Sequence, residues 1–460
     1  MTTKPTKTLV GNIDKDILAY TAGRDVELDV SLIEADCMGS AAHVVMLSQM
    51  PLKPALISKS QENKIIKALV SIMRQTRKGT FKIRLADQDV HLAVEQTLTQ
   101  QLGDIGKKIH TGRSRNDQVA LDLRLYAKDQ LLATLEGVAC CVDALLSFAK
   151  KQVAMPMVGR THMQPAMPSS VGLWASSFAE GLFDDMALLI NAYEFNDQSP
   201  LGSAAGYGVP LPIDRELVSH LLGFSRPCHN VLYASNSRGK IESIILSAMS
   251  QVMLTLSRWA QDMILYTMPE FNYFVLPKAF CTGSSMMPQK NNPDALELMR
   301  AKASKVQGHA LSVYDLIKGL PSGYQRDLQE AKEPFLEGIH ITRTSLSVCH
   351  KIVRGLTVNK KALLKGFTAE VFATDRAIEC VAEGMPFRDA YDYVKTHIDE
   401  LKDMDPYEAI AKKQHLGATA GLDFPTYKKR LKEAHAFVRE ERKAFNKAIS
   451  KVLGVAYPDL

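Results

Sequence analysis

The run Gly283-Ser284-Ser285-Met286-Met287-Pro288-Gln289-Lys290-Asn291-Asn292-Pro293 puts two hydroxyls and a lysine within seven residues, behind a Gly/Ser entry that lets a loop close. That combination suits a lid carrying its own catalytic groups, and Pro288 and Pro293 limit the freedom of such a loop. The alternative is a plain glycine loop with Lys290 in solvent. Asn292-Pro293 reads as a helix start with proline in the first turn. A second stretch, Gly159-Arg160-Thr161-His162-Met163-Gln164-Pro165, sets a histidine and a hydroxyl beside a basic residue in a proline-closed loop. Imidazole is the side chain most easily poised to exchange protons near neutral pH, although a single histidine of this kind is more often structural than catalytic. Ser114-Arg115-Asn116-Asp117-Gln118 precedes a helix predicted from about Val119, where backbone N–H groups favour anions; an ordinary cap with solvated charges explains it equally. Tyr324, Gln329 and Lys332 stand at the beginning of another helix, where they grip a polar substrate or face water. Gly202-Ser203-Ala204-Ala205-Gly206-Tyr207-Gly208 lacks the GK[ST] ending and the preceding strand of a phosphate loop and reads as a tight turn.

These loops need a rigid frame, and the rest of the pattern supplies long helices. Leu135, Val138, Val142, Leu145, Phe148 and Ala149 recur at steps of three and four. Ile241, Ile244, Ala248, Val252, Leu256, Trp259, Met263 and Ile264 hold the same period for an unusually long distance. Segments 168–196, 292–317 and 326–353 bring the candidate bundle helices to five, with Pro334 expected to kink or restart the last. Shorter elements flank them. The chain divides into a small N-terminal domain (1–113), a central long-helix domain (114–365) and a small C-terminal domain (366–460), all helical.

The composition fits a soluble globular protein: 460 residues, 46% hydrophobic, 23% charged and a net charge of +6 exclude disordered and fibrous classes. Seven cysteines without CxxC or Cys/His ligand spacing read as reduced thiols, and with no secretory leader ahead of Leu9 they point to the cytoplasm. Apolar stretches are interrupted by charge before the roughly 18 residues a membrane span needs, so no membrane partner is expected. The basic residues are interleaved with acids instead of forming a stripe, which disfavours nucleic acid and suits an anionic small substrate.

Together, GSSMMPQKNNPD (283–294), HTGRSRNDQV (110–119), GRTHMQPAMP (159–168) and YQRDLQEAK (324–332) closely resemble the argininosuccinate lyases of the fumarase/aspartase superfamily. The GSSxMPxKxNP run marks the superfamily, while SRNDQ and the GRTH loop narrow the match; the resemblance spans essentially the whole chain. It implies an all-α homotetramer with a twenty-helix core and active sites built from three chains each. It also implies β-elimination of argininosuccinate to arginine and fumarate, the last step of arginine biosynthesis, with no metal or organic cofactor. By this resemblance Ser284 abstracts the proton, and Lys290 with Asn292 binds the carboxylate whose charge grows in the transition state. His162 assists proton delivery to the leaving nitrogen and Glu297 orients it. Arg115, Asn116, Thr161, Tyr324, Gln329 and Lys332 grip the substrate, with His91 a further contact. This chain lacks the WGGRF-like opening of many relatives, and Asp25 stands where many have a substrate-contacting serine, so that contact is not carried over. The loop YASNSRGK from Tyr233 likewise differs from the acidic version common in relatives.

Two other readings compete. A sister lyase such as adenylosuccinate lyase or fumarase would share Ser284, Lys290 and Asn292, but Ser114–Gln118 with Gln329 and Lys332 suits an amino-acid terminus better than a purine. A structural protein on the same fold, as some lens crystallins are, has no need for Ser284, His162, Lys290 and Glu297, all of which are present.

Overall fold

The computed structural model of the chain describes residues 6–8 and 11–460. The segment ahead of Leu9, from which the cytoplasmic address is partly inferred, falls largely outside the described residues. Five long helices form the central bundle, α1 (Arg115–Lys151), α2 (Val171–Asn196), α3 (Lys240–Thr267), α4 (Asp294–Ile317) and α5 (Lys332–Gly355), and a further long helix, Phe424–Leu453, lies near the C-terminal end. Helix α1 begins four residues earlier than predicted because Ser114 and Asp117 form a reciprocal cap: Asn116 N–H donates to Ser114 Oγ and Ser114 N–H to Asp117 Oδ1. The polar residues Arg115 to Gln118 are therefore its first turn, not a loop in front of it. The periodic stripe of α1 is buried from Leu131 through Leu135, Val138, Val142 and Leu145 to Ala149, and it shares one core with the stripe of α3 from Ile241 to Met263. Pro334 sits in the first turn of α5, where a missing N–H costs nothing, and the segment from Arg326 to Ala331 is a separate 3₁₀ turn.

The stretch 156–168, expected as an irregular loop, is a β-hairpin: β1 (Pro156–Thr161) pairs antiparallel with β2 (Gln164–Ser170). An otherwise helical chain thus carries a ribbon where it leaves α1 and enters α2, and both strands are too rich in proline and glycine to continue either helix. Gly172 permits the close return, since a Cβ there would lie 2.6 Å from Val153 Cα.

Two further apolar clusters flank the bundle. One joins the helices Ile33–Gln49 and Lys59–Arg77 to the end of the C-terminal helix Phe424–Leu453; the other gathers residues 372–409. That C-terminal helix also places Leu431 and Val438 in the bundle core. Among the described residues two helical runs, 25–49 and Arg115–Lys151, are long and apolar enough to cross a membrane, but most of each apolar stretch is packed inside the protein. All seven cysteines are free thiols. On the outer face of α3 and α4, Leu254, Leu298, Leu311 and Tyr314 remain exposed.

Candidate active site

A cavity of about 130 Å³ opens where five parts of the chain converge, and its lining includes Asp25, Gln88, Asp89, His91, Arg115, Asn116, Arg238, Tyr324, Gln329 and Lys332. Arg115 and Asn116 enter from the first turn of α1. Arg115 Nη1 lies 3.2 Å from Asp89 Oδ2 and 3.3 Å from Gln88 Oε1, so its guanidinium is held in a fixed direction. Asp89 in turn caps the helix Val90–Leu102 by accepting Leu92 N–H. Opposite, Gln329 Nε2 and Arg326 Nη2 both donate to the Thr21 carbonyl, and Arg24 pairs with Glu333, which docks the corner before Asp25 onto the start of α5. Arg238 is buried; its Nη2 donates to the Leu328 carbonyl and its Nε faces Glu242 at 3.4 Å, bracing the Tyr324–Lys332 stretch from behind.

Lys332 is buried rather than free. Its Nζ sits 2.5 Å from Asp29 Oδ1 and 3.0 Å from Asp25 Oδ1. Burial works against the ammonium, but the two carboxylates outweigh it and hold its pKa above the ordinary lysine value. Burial pushes the Asp25 carboxyl up to about 6, Lys332 opposing and Asp29 adding to the rise.

His91 is a buried residue of the cavity wall, its Nδ1 2.6 Å from Asp36 Oδ2 and 3.6 Å from Asp122 Oδ2. Among the described residues these three bring potential metal-ligand atoms within 4.8 Å of one another. A shared proton already satisfies the close pair: burial disfavours the imidazolium, yet the hydrogen bond and charge of Asp36, with Asp122 and Asp89 beyond, hold its pKa up to about 9. Burial first, then the Asp36 charge, pushes the Asp122 carboxyl well above its usual range. An unfolded histidine titrates near 6.5, so stabilisation from this group is complete below that pH and is lost as pH rises through about 9. The expected loss is on the order of 3 kcal/mol. Urea unfolding from about pH 6 to about pH 9.5 should show it, and His91→Gln should flatten that part of the profile; an undiminished slope in the variant would assign it to other groups.

The remaining predicted residues lie elsewhere on the chain. Thr161 and His162 are exposed at the tip of the β1–β2 hairpin, where His162 (φ 51°) and Met163 (φ 62°) form its two-residue turn in the left-handed region. Turns of this shape favour Asn-Gly, so a histidine there is held by its surroundings. Arg160 fastens the turn, with Nη1 donating to the Met163 carbonyl and its guanidinium 4.8 Å from the centre of the Phe271 ring. Ser284 and Lys290 stand at the two ends of an exposed excursion closed by pairing of Thr282–Gly283 with Asn291–Asn292, and Thr282 donates to Asp294 at the start of α4. Ser284 Oγ accepts the N–H groups of Met286 (3.3 Å) and Met287 (3.0 Å). Lys290, Asn292 and Glu297 line a cleft of about 440 Å³ with Asn272 and Lys278. Within one chain, then, Arg115, Asn116, Tyr324, Gln329, Lys332 and His91 are brought to one cavity, while Thr161 and His162 form a second group and Ser284, Lys290, Asn292 and Glu297 a third.

A family model described as lyase matches residues 24–308. An argininosuccinate lyase from Sorangium cellulosum is 41% identical over 93% of this chain and 98% of its own length. One from Thermotoga neapolitana is 39% identical over 85% of this chain and 97% of its own. The chain belongs to the argininosuccinate lyase family. Its fold is shared more widely within the fumarase/aspartase superfamily. The structure of EDDS lyase in complex with formate matches with a TM-score of 0.79 at 21% identity, covering 96% of this chain and 97% of that one. A class II fumarase from Schistosoma mansoni matches with a TM-score of 0.68 at 16% identity, covering 88% of this chain and 98% of that one.

Several cavity residues of this argininosuccinate lyase family member escaped the sequence reading. Gln88 and Asp89 sit in the DQDVH stretch that drew attention only to His91, and Arg238 sits in a loop noted only as unusual. Asp36 and Asp122 interrupt apolar helical runs, and a carboxylate at such a position needs a buried partner; that was the available signal. The Gly202–Gly208 segment is a tight turn whose Gly202 and Ala204 N–H groups donate to buried Asp117, which leaves them unavailable to a phosphate.

Proposed function

We propose that this chain cleaves argininosuccinate reversibly to arginine and fumarate, as a carbon–nitrogen lyase at the last step of arginine biosynthesis. The observation that carries this reading is the 41% identity to an argininosuccinate lyase across nearly the full length of both chains. The cavity around Arg115 supports it, with polar groups of both signs suited to an amino-acid end.

Ser284 is the base. Its Oγ already accepts two backbone N–H groups, bonds that strengthen as negative charge builds on the oxygen and so favour the alkoxide. The alkoxide takes the C–H proton of the succinyl carbon next to the one bearing nitrogen. The electron pair moves into the adjoining carboxylate, whose growing charge Lys290 and Asn292 meet. The C–N bond then breaks as the pair returns to form the double bond of fumarate, and the guanidino nitrogen leaves with a proton supplied on the His162 side, with Glu297 orienting that histidine. Arg115, Asn116, Thr161, Tyr324, Gln329, Lys332 and His91 hold or support the arginine end.

The same reading assembles four chains around a core of twenty helices, with each site drawn from three of them. The exposed Leu254, Leu298, Leu311 and Tyr314 on α3 and α4 supply an apolar face for such an assembly, and the three residue groups are incomplete apart. The division into domains 1–113, 114–365 and 366–460 and the cytoplasmic address belong to this reading; the seven free thiols support the latter.

The test is ultraviolet detection of fumarate from argininosuccinate, with adenylosuccinate and malate run in parallel. Equimolar arginine and fumarate from argininosuccinate alone is the expected result. Turnover of another substrate instead would keep the superfamily chemistry and discard this substrate.

A further inference from the structure

Asp25 is a cavity residue that stands where many relatives have a substrate-contacting serine, and the elimination chemistry gives it no task. It opens the turn Asp25–Leu28 and lines the cavity together with Arg115, Asn116 and Lys332. Its neighbours determine what it can offer. Lys332 Nζ is 2.5 Å from Asp29 Oδ1, and Asp29, fully buried, spends its other oxygen on the N–H of Val90. One lysine is therefore already neutralised by a carboxylate that has no other cation in ion-pair reach among the described residues, and Asp25, 3.0 Å from the same Nζ, makes a second carboxylate on one ammonium. The cluster of Asp25, Asp29 and Lys332 carries a net charge of about −1 by this count. The surplus is not spread evenly. The side chains of Asp29 and Lys332 are 1% and 3% exposed, whereas that of Asp25 is 13% exposed and faces the cavity.

Elsewhere in the cavity wall the charges cancel in pairs: Arg115 with Asp89 and Arg238 with Glu242. Arg326, held by the Thr21 carbonyl, has no carboxylate within ion-pair distance among the described residues. The cavity wall thus holds a carboxylate in excess at Asp25, while the unpaired guanidinium of Arg326 is fastened to the Thr21 carbonyl of the same corner. A group entering beside Asp25 is favoured if it is a cation small enough to share the carboxylate with Lys332. A carboxylate entering there is repelled.

We propose that Asp25 is a specificity-determining residue that receives the α-ammonium group of the arginine end of the substrate, so that the cavity selects α-amino acids over guanidino acids lacking the amine. This rests on the reaction assigned above. A charge-assisted hydrogen bond in a largely desolvated site discriminates on the order of 10- to 100-fold. Asp25→Asn keeps the size of the side chain and leaves Lys332 neutralised by Asp29, so the fold of the cavity wall is retained.

The test runs the reaction in the direction of addition, with fumarate and either arginine or 5-guanidinopentanoate, which is arginine without its amine. Wild-type protein is expected to prefer arginine by about 10- to 100-fold in kcat/KM, and Asp25→Asn to reduce that preference to a few-fold through a higher KM for arginine, with kcat little changed. The same preference in Asp25→Asn as in wild type would overturn the role of Asp25 while leaving the reaction standing. A second measurement needs no variant: inhibition of argininosuccinate cleavage by the two compounds in wild-type protein, where equal potency would overturn the proposal by itself. Wild-type protein that forms no adduct from arginine and fumarate, and cleaves no argininosuccinate, would overturn the reaction and this inference with it.

Discussion

Ser284→Ala is expected to lower kcat by about 10³-fold, or roughly 4 kcal/mol in the barrier, while the variant assembles as the wild type does. The size follows from what is lost. A positioned general base contributes on the order of 10²- to 10⁴-fold, and the proposed base is an oxygen whose basicity depends on the backbone dipoles that converge on it. Met286 and Met287 N–H both point at Ser284 Oγ, at 3.3 and 3.0 Å. An alanine leaves those donors in place with nothing to act on, and a water bound there in place of Oγ is not fixed to the chain. Assembly is untouched because the excursion holds no core residue; Met286 at its tip is 88% exposed. Steady-state kinetics with argininosuccinate, alongside sedimentation of the same sample, reads both quantities. Turnover within tenfold of wild type in a correctly assembled variant would remove Ser284 from the mechanism.

The second large effect is a recovery. His162→Asn and Arg115→Ala should each be nearly inactive alone, and mixing them under conditions that exchange subunits should restore about a quarter of wild-type activity. The geometry sets this expectation. Arg115 lines the cavity beside α1, whereas His162 is exposed on the turn of the β1–β2 hairpin and is not among the cavity-lining residues. If a working site draws Arg115 and His162 from different chains, a random mixture gives each an even chance of being intact, and about one site in four has both. If both came from one chain, every chain in the mixture would carry a defect and no site would recover. Activity equal to the sum of the parents after demonstrated exchange would therefore count against shared sites.

The parts of the site that were legible in advance are those written contiguously. The excursion from Gly283 to Pro293 holds its serine, lysine and asparagine within one short segment, and local pairing of Thr282–Gly283 with Asn291–Asn292 is enough to bring its ends together. The Ser114 cap and the Tyr324–Lys332 stretch are equally local. The hairpin at 156–170 was not legible as strands, because its register depends on a turn of two left-handed residues, His162 and Met163, that carry no Asn-Gly signature.

Residue types, helical period and local caps, all short-range properties, determined the five long helices and the identity of the lid and hairpin groups before any fold was known. Tertiary structure alone decided which of those groups share a cavity, that Lys332 is neutralised from Asp29 some three hundred residues away, and that His91 is an ion-paired histidine sealed by Asp36 and Asp122. Charge is the physical reason for the difference. A helix is specified by neighbours within a few positions, but what a buried charge does is set by the charges packed against it, and those arrive from anywhere in the chain.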